Sequence, residues 1–475
     1  MLASGARAGA PRLNFVVAIL AIAWIGFVSH KAETYDDAIY PILLLAFGII
    51  PTLIWIARWR DTLPIMPIYG LVNVLHFGLP FTSSTSDVLN YSEAEKLAGT
   101  LMVCGFLVAA TFAWVVVMGF VRIQPKPAKS FDAAPIGEFL PYGFGIAALF
   151  NWAEMTGAGY VLGNGLPVAR AVCGSIFFIC AYLLGALWAE GVLSARLKVL
   201  CSILFALGAM ITWSSLYLYP SMFVIAMFFI GYMISARRVP VALVAAVFSV
   251  FVVLQAGKST MRGFYQDELA VTSILEMPAF VAEWVGEGIL GLATQADQEA
   301  VQLGDRIGLM HMLLRAQTMT PSQVDFLNGE TYSLIPRLMI PRFLDPDKPI
   351  AHAGLIMLNV RYGLLVLEEV DQTSIGWGML PEAYANFGDI GVIGLGVLVG
   401  ALFAAVTLWT SGAPALSGRA MFGVMMLLTS FNLEADTAVF LTTLVQGAVA
   451  IFAINVFFGI FGQRSRRGGG GSHGH

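Results

Sequence analysis

Twelve apolar runs follow one another along this 475-residue chain, most of them about 17 to 25 residues long, which is the length a helix needs to cross a bilayer. The composition agrees, because 58% of the residues are hydrophobic and only 12% are charged, whereas about 25% are charged in an ordinary soluble domain. The mean hydropathy is +0.79. The sequence therefore predicts an all-α polytopic membrane protein with about 12 transmembrane helices.

The predicted spans divide the chain into parts of different polarity. The spans are residues 13–29, 38–57, 62–80, 97–121, 137–153, 168–190, 197–216, 218–235, 239–256, 389–410, 419–433 and 437–461. Residues 1–256 hold the first nine spans, and residues 389–467 hold the last three. Between them, residues 257–388 form one large loop whose apolar residues are spaced as in amphipathic helices and turns. Residues 468–475, "GGGGSHGH", are typical of an added linker.

The Lys and Arg residues predict the orientation, because short cytoplasmic loops collect basic residues. With both termini in the cytoplasm, 15 of the 26 Lys and Arg residues lie on the inside, and every inside loop holds some of them. The short outside loops hold only Lys31, Lys96 and Arg170, and the remaining eight basic residues lie in the large loop. We therefore expect residues 257–388 on the non-cytoplasmic side.

The large loop opens with two cations one helical turn apart. Lys258 and Arg262 follow the ninth span in "LQAGKSTMRGF". If the helix continues, the i, i+4 spacing places both on one face just beyond the lipid, where they could bind an anion. Basic side chains at a helix end also anchor it among headgroups, and that alternative stays open.

A second cationic stretch, "IPRLMIPRFLDPDKP", holds Arg337, Arg342 and Lys348 between four prolines. Proline at these intervals prevents a continuous helix. The two arginines would diverge in a straight strand or helix, so they can converge on one anion only if the segment turns. The neighbouring carboxylates Asp345 and Asp347 offer a local alternative, a loop held by its own salt bridges.

The end of the large loop carries further polar residues. His352 and Arg361 come first, and "GWGMLPEAYANFGDIG" then leads into the tenth span. Proline suits the start of a short helix and glycine its end, so Pro381 and Gly388 predict a short helix that ends before Asp389. Glu382, Tyr384 and Asn386 would lie on this helix at the mouth of the bundle, although an acidic residue near a helix N-terminus also has a purely structural use.

Several activities are not supported by the sequence. It has no GxxxxGK[ST], GxSxG or HExxH pattern, so nucleotide hydrolysis and the familiar hydrolase sites lack their motifs. The four cysteines all fall inside apolar runs, and no CxxC or His-rich spacing occurs. We expect no metal site. An enzyme of this kind would take its driving force from an activated substrate already in the membrane.

The segments "GETYSLIPRLMIPRFLDPDKP" and "PEAYANFGDIG", together with one large loop late in a polytopic bundle, resemble the Wzy-type polymerases of lipid-linked oligosaccharide repeat units. These belong with the O-antigen ligases to the GT-C kind of membrane glycosyltransferases. The resemblance implies a bacterial inner-membrane enzyme with a periplasmic active loop, no cofactor and no nucleotide sugar. Its donor is a glycan on undecaprenyl diphosphate, and its acceptor is one repeat unit on a second undecaprenyl diphosphate.

On that resemblance the polar residues receive roles. Lys258, Arg262, Arg337 and Arg342 would bind the diphosphates, with Lys348 and Arg361 as further candidates, since arginine forks suit phosphate oxygens. Glu382 or His352 would take the proton from the attacking hydroxyl. The expected sugar contacts are Glu330, Tyr332, Trp377, Tyr384 and Asn386. Membrane lipids, a chain-length regulator and a flippase would be the other partners, and no nucleic acid is expected.

Two other functions remain open at this stage. An O-antigen ligase would use the same donor and transfer the glycan to lipid A core or to a protein. A polysaccharide or lipid transporter, such as a flippase, also suits about twelve spans. Transporters, however, often have two matching halves and charges near the membrane midplane, whereas the polar residues here are concentrated in one loop.

Overall fold

The computed structural model describes residues 10–32, 35–121, 128–213, 216, 218–265, 275–294, 308–340, 344–366, 368 and 375–468. Every regular element in these ranges is helical. The α-helices are α1 (Ala10–Lys31), α2 (Tyr35–Gly48), α3 (Ile50–Arg58), α4 (Ile65–Gly78), α5 (Glu93–Phe120), α6 (Ala133–Met155), α7 (Leu166–Glu190), α8 (Ala195–Trp213), α9 (Tyr219–Ala236), α10 (Val241–Ala256), α11 (Lys258–Phe264), α12 (Met277–Thr294), α13 (Met310–Met319), α14 (Glu330–Ser333), α15 (Ile335–Met339), α16 (Ala353–Arg361), α17 (Met379–Thr410), α18 (Gly418–Thr429) and α19 (Thr437–Gly468). The all-α prediction is confirmed for these ranges.

The described helices fit a multi-pass membrane protein. Eight are long and apolar enough to cross a bilayer, and α10 with α11, bent by 46° at Gly257, makes a ninth if the pair is one span. The eight are Asp37–Arg58, Ile65–Thr82, Glu93–Phe120, Ala133–Met155, Leu166–Glu190, Ala195–Trp213, Met379–Thr410 and Thr437–Phe458. Three shorter apolar helices are Val16–Lys31, Pro220–Ala236 and Gly418–Thr429. Each of the twelve predicted runs falls on one of these helices.

Glycines let the principal helix pairs approach closely. On α17, a Cβ at Gly400 would collide with the carbonyl oxygen of Ala110 on α5. On the α7–α9 pair the arrangement is reciprocal, because Gly185 and Gly231 each lie against the backbone of the partner helix. Small residues at such contacts increase the packing between membrane helices, which have little hydrophobic drive to associate.

The described part of the large loop packs against the ends of several helices. Helix α13 lies against α5 and α17, while α14 and α15 lie against α19. A cluster of buried side chains beneath them includes Met312, Leu355, Tyr362 and Trp377. Helices α10, α11 and α12 form a different group, with a cluster of their own around Trp284.

The glycine contact on α17 predicts a specific sensitivity. Gly400→Ala places a methyl group against Ala110, and overpacking of this kind costs about 1 to 3 kcal/mol. Gly119→Ala on α5 is the matched control, because nothing lies within 4 Å of a Cβ there. In detergent, the thermal unfolding temperature of Gly400→Ala should be lower than that of the wild type. The unfolding temperature of Gly119→Ala should not be lowered. Equal temperatures for the two variants would contradict the tight α5–α17 contact.

Candidate functional site

Helix α17 is broken near its start, and the break creates a docking point for the large loop. Gly388 has φ 62° and ψ −146°, a conformation that favours glycine. The break expected at Gly388 is confirmed, although α17 begins two residues before Pro381, at Met379. The carbonyl oxygens just before the kink accept hydrogen bonds from the loop, with Leu327 N donating to Ala385 O at 3.0 Å and Asn328 N donating to Asn386 O at 3.1 Å.

Asn386 reinforces this attachment from a fully buried position. Its side-chain amide donates to Thr331 Oγ1 at 2.9 Å and to Glu382 O at 2.9 Å. Its Oδ1 accepts from Gly329 N at 3.0 Å. The side chain predicted to contact sugar therefore also fixes the loop that carries Tyr332 onto α17.

Glu382 lies one turn before Asn386 and is also fully buried. Its Oε2 accepts two hydrogen bonds from the first residue of α19, from Thr437 N at 2.7 Å and from Thr437 Oγ1 at 2.7 Å. Carboxylates are stabilised at helix N-termini, where backbone N–H groups lack partners within the helix. The other oxygen, Oε1, is buried and has no hydrogen-bond partner among the described residues.

A second buried carboxyl, Asp436, lies next to this contact. It immediately precedes α19, and its Oδ1 accepts a hydrogen bond from Val439 N at 2.7 Å in the manner of an N-cap. Its Oδ2 has no partner among the described residues. Gly354 at the start of α16 covers this oxygen, since a Cβ there would lie 2.9 Å from it.

Tyr332 and His352 are the nearest titratable neighbours of this pair on the loop. Burial raises the pKa of Asp436, and the Val439 hydrogen bond and the His352 side chain partly offset the rise. Burial also raises the pKa of Tyr332, and the carboxylates of Glu382 and Asp436 raise it further. His352 itself is exposed. The structure thus brings Glu382, Tyr332, Asn386 and His352 to one place.

A cavity of about 650 Å³ adjoins the buried carboxyls. Its polar lining residues are Asn328, Tyr332, Asn386 and Thr437. Its apolar lining residues are Phe326, Ile335, Phe387, Ile390, Leu395 and Leu398, with Gly391 and Gly394. From Ile390 to Leu398 the cavity follows α17 for about 12 Å, at 1.5 Å per residue. It therefore joins a polar end beside Glu382 to an apolar groove along a membrane-type helix.

The Pro-Arg stretch turns, as its prolines predict. Helix α15 ends at Met339, and Arg337 then meets Asp345 in a two-pronged ion pair, with Nε–Oδ2 and Nη2–Oδ1 distances of 3.0 Å. Lys348 Nζ donates to Leu338 O at 3.0 Å and to Ile340 O at 2.5 Å. Arg337 thus makes the local salt bridge that the sequence allowed as an alternative, whereas the described contacts of Lys348 are with main-chain carbonyl oxygens. Arg342 lies outside the described residues.

The remaining predicted contacts lie in several environments. Trp377 is buried and donates to Asn359 Oδ1 at 2.8 Å, so its indole is part of the core beside Tyr362. Arg361 donates to Asp325 O at 2.8 Å. Glu330 is exposed and Tyr384 is half-buried.

Lys258 and Arg262 lie on α11, which packs on α10 and α12. They share a helix, as the i, i+4 spacing predicted. Their helix belongs to a different packing group from α14 to α17. The structure therefore does not gather them with Arg337 among the described contacts.

Asp436 and Thr437 are the site residues that sequence reasoning missed. Asp436 ends the short connection before the last span and Thr437 begins that span, more than fifty residues beyond Glu382. A signal was present, because an Asp directly before an apolar run is a helix-start pattern. It indicates a cap, however, and gives no indication that the capped helix faces Glu382.

The raised pKa of Asp436 predicts how stability depends on pH. The folded protein holds the Asp436 proton more tightly than the unfolded chain does. The free energy of unfolding therefore decreases as pH rises above the ordinary aspartate pKa of about 4. Asp436→Asn removes the ionisation and keeps an N-cap side chain. Thermal unfolding in detergent should show the unfolding temperature of the variant rising relative to that of the wild type as pH increases above about 4.

Asp389→Asn is the control for this measurement, because it removes an exposed carboxylate one residue after the kink. It should give no such gain. A relative loss of stability for Asp436→Asn with rising pH would contradict the burial of an ionisable carboxyl at the start of α19.

The arrangement can accept a proton at one end of an apolar cavity. Two buried carboxyls each keep an oxygen without a hydrogen-bond donor among the described residues, and Thr437, which bonds to Glu382 and follows Asp436, lines the cavity. Among the described residues, no group of three or more His, Cys, Asp or Glu side chains could hold a metal ion. In comparisons with known proteins, no family model, curated protein or solved structure matches this chain.

Proposed function

We propose that this chain is a bacterial inner-membrane glycosyltransferase that polymerises oligosaccharide repeat units carried on undecaprenyl diphosphate. About twelve helices cross the membrane in this proposal, both termini are cytoplasmic, and residues 257–388 lie on the periplasmic side. The basic residues of the short loops support this orientation. Asp436, in the connection before the last span, then lies on the same side as the large loop.

The cavity beside the buried carboxyls is the observation that carries the proposal. Its apolar wall includes Ile390 and Leu398, whose side chains are 84% and 69% exposed. Exposed apolar side chains on a membrane-type helix suit contact with an isoprenoid chain. The polar end, with Asn328 and Tyr332, suits sugar hydroxyls. A lipid-linked sugar needs both kinds of surface within one cavity.

The reaction follows from these parts. The acceptor hydroxyl attacks the anomeric carbon of the donor, the bond from that carbon to the diphosphate oxygen breaks, and undecaprenyl diphosphate leaves with the bonding electrons. The hydroxyl proton passes to Glu382 as the general base. Negative charge grows on the departing diphosphate, where a positioned cation stabilises the transition state.

Arg337 is the cation best suited to this task among the described loop residues. Its contacts with Asp345 and with the Asp347 carbonyl oxygen use Nε and Nη2, so among the described contacts the Nη1 edge of the guanidinium can face phosphate oxygens. The side chain is 53% exposed. Asp345 would then orient the guanidinium group without occupying all of its hydrogen-bond donors.

Replacing Glu382 tests the proposal most directly. Glu382→Gln keeps the shape and an acceptor for Thr437 but cannot take the proton, so polymerisation should fall by about 10²-fold or more. A deletion strain of the source organism, complemented with each variant, would be assayed for the length ladder of its surface polysaccharide. Glu138→Gln, an exposed glutamate on α6, should restore the normal ladder.

Each alternative outcome of that assay has a meaning. Transfer of finished chains to a different acceptor, with no lengthening of lipid-linked glycan in purified membranes, would identify a ligase instead. Failure of repeat units to reach the periplasmic face would identify a flippase. A normal ladder from Glu382→Gln would remove Glu382 from the reaction.

A charge swap separates the two roles of Arg337. The double variant Arg337→Asp with Asp345→Arg can rebuild the local ion pair but moves the cation eight positions along the chain. If Arg337 binds the diphosphate, both Arg337→Ala and the swap should lose the ladder. Recovery of the ladder in the swap would show that the arginine serves only to hold the loop.

A further inference from the structure

The burial of Glu382 raises a question about how it could act. Its side chain has 0% exposure, so a sugar hydroxyl in the cavity cannot touch the carboxyl. Two residues that line the cavity bond to Glu382: Thr437 bonds to its carboxyl and Asn386 to its main-chain carbonyl oxygen. Only a group that can both receive and release a proton could connect the cavity with the carboxyl.

Thr437 meets that requirement by its position. It lines the cavity, and its hydroxyl donates to Glu382 Oε2 at 2.7 Å. Its backbone N–H donates to the same oxygen at 2.7 Å, so the residue is held by two bonds and its hydroxyl has little freedom to turn away. A donated proton leaves two lone pairs on Thr437 Oγ1. The Tyr332 side chain interacts with one of them, and the other can accept a hydrogen bond from a hydroxyl in the cavity.

Asn386 cannot receive and release a proton in this way. Its amide hydrogens are engaged with Thr331 Oγ1 and Glu382 O, and an amide has no proton to exchange near neutral pH. Tyr332 also lines the cavity, but no hydrogen bond joins its hydroxyl to Glu382 among the described contacts. Burial and the two nearby carboxylates raise its pKa, which favours a hydroxyl that stays protonated.

We propose that Thr437 relays the proton from the acceptor hydroxyl to Glu382. The acceptor oxygen gives its proton to Thr437 Oγ1 as it attacks the anomeric carbon, and Thr437 gives its own proton to Glu382 Oε2. Thr437 ends as it began, with one proton on its oxygen. The proton count balances, because the acceptor loses one and Glu382 gains one.

The second buried carboxyl, Asp436, makes it easier for the site to accept the relayed proton. Asp436 precedes Thr437 in the chain, and its Oδ2 is buried without a donor among the described residues, like Glu382 Oε1. Two buried carboxylates near each other repel, so together they accept a proton more readily than one alone. This inference rests on the proposed glycosyl transfer and adds the residue that contacts the acceptor.

The test compares two substitutions at one position. Thr437→Val removes the hydroxyl, while its backbone N–H can still bond to Glu382. Its kcat for chain lengthening in proteoliposomes, with lipid-linked repeat units as substrate, should fall by about 10²-fold or more, with KM little changed. Thr437→Ser restores a hydroxyl and should restore most of kcat. Thr442→Val is the matched control, because the described bonds of the Thr442 hydroxyl lie within α19, to Ala438 O at 2.8 Å and Val439 O at 3.1 Å.

A double variant tests whether the Thr437 hydroxyl and Glu382 act as a unit. If the hydroxyl serves only Glu382, adding Thr437→Val to Glu382→Gln should slow the reaction no further, since residues that act as a unit are not additive. Additive losses, or a Thr437→Val enzyme as fast as the wild type, would overturn the relay. A wild-type protein that forms no ladder would instead overturn the proposed polymerase, so the two failures are distinguishable.

Discussion

The contact between Glu382 and the first residue of α19 is the interaction on which the site depends. One carboxylate oxygen accepts both the backbone N–H and the hydroxyl of Thr437, so it joins the start of α17 to the start of the last membrane-type helix. The contact occupies a helix N-terminus, where a negative charge is stabilised by unpaired N–H groups and by the helix dipole. That stabilisation partly offsets the cost of burying a carboxylate, which would otherwise be large. It also sets the position of Asp436, since Asp436 immediately precedes Thr437.

The kink at Gly388 complements this contact by attaching the loop. A straight α17 would use the carbonyl oxygens of Ala385 and Asn386 within the helix, whereas the kinked helix offers them to Leu327 and Asn328. Sharp kinks commonly occur where the regular hydrogen-bond ladder is interrupted. Here the interruption is filled by the segment that carries Tyr332. The loop, the two carboxyls and the cavity are therefore held by one short stretch of α17.

The sequence predicted the local features of the site better than its long-range contacts. The apolar runs predicted the helices, Gly388 predicted the break, and the prolines predicted the turn after Arg337, because each feature is set by residues close together in the chain. The partners of Glu382 could not be predicted in this way, since Thr437 is 55 residues away. The i, i+4 spacing of Lys258 and Arg262 predicted a shared helix but not which helices α11 packs against. Trp377 shows the same limit, because its bond to Asn359 gives it a place in the core that its neighbours in the chain do not indicate.

Two buried carboxyls with unpaired oxygens are costly in any fold, and a role in packing alone does not explain them. A purely structural link between α17 and α19 needs only Glu382 Oε2, and a purely structural cap on α19 needs only Asp436 Oδ1. The remaining oxygens, Oε1 and Oδ2, are buried and without donors among the described residues, and such groups usually find partners in native proteins. Places where a chain departs from this rule are concentrated at functional sites. The departure here adjoins a cavity with a polar end and an apolar wall, which is where the proposed lipid-linked substrate would need a proton acceptor.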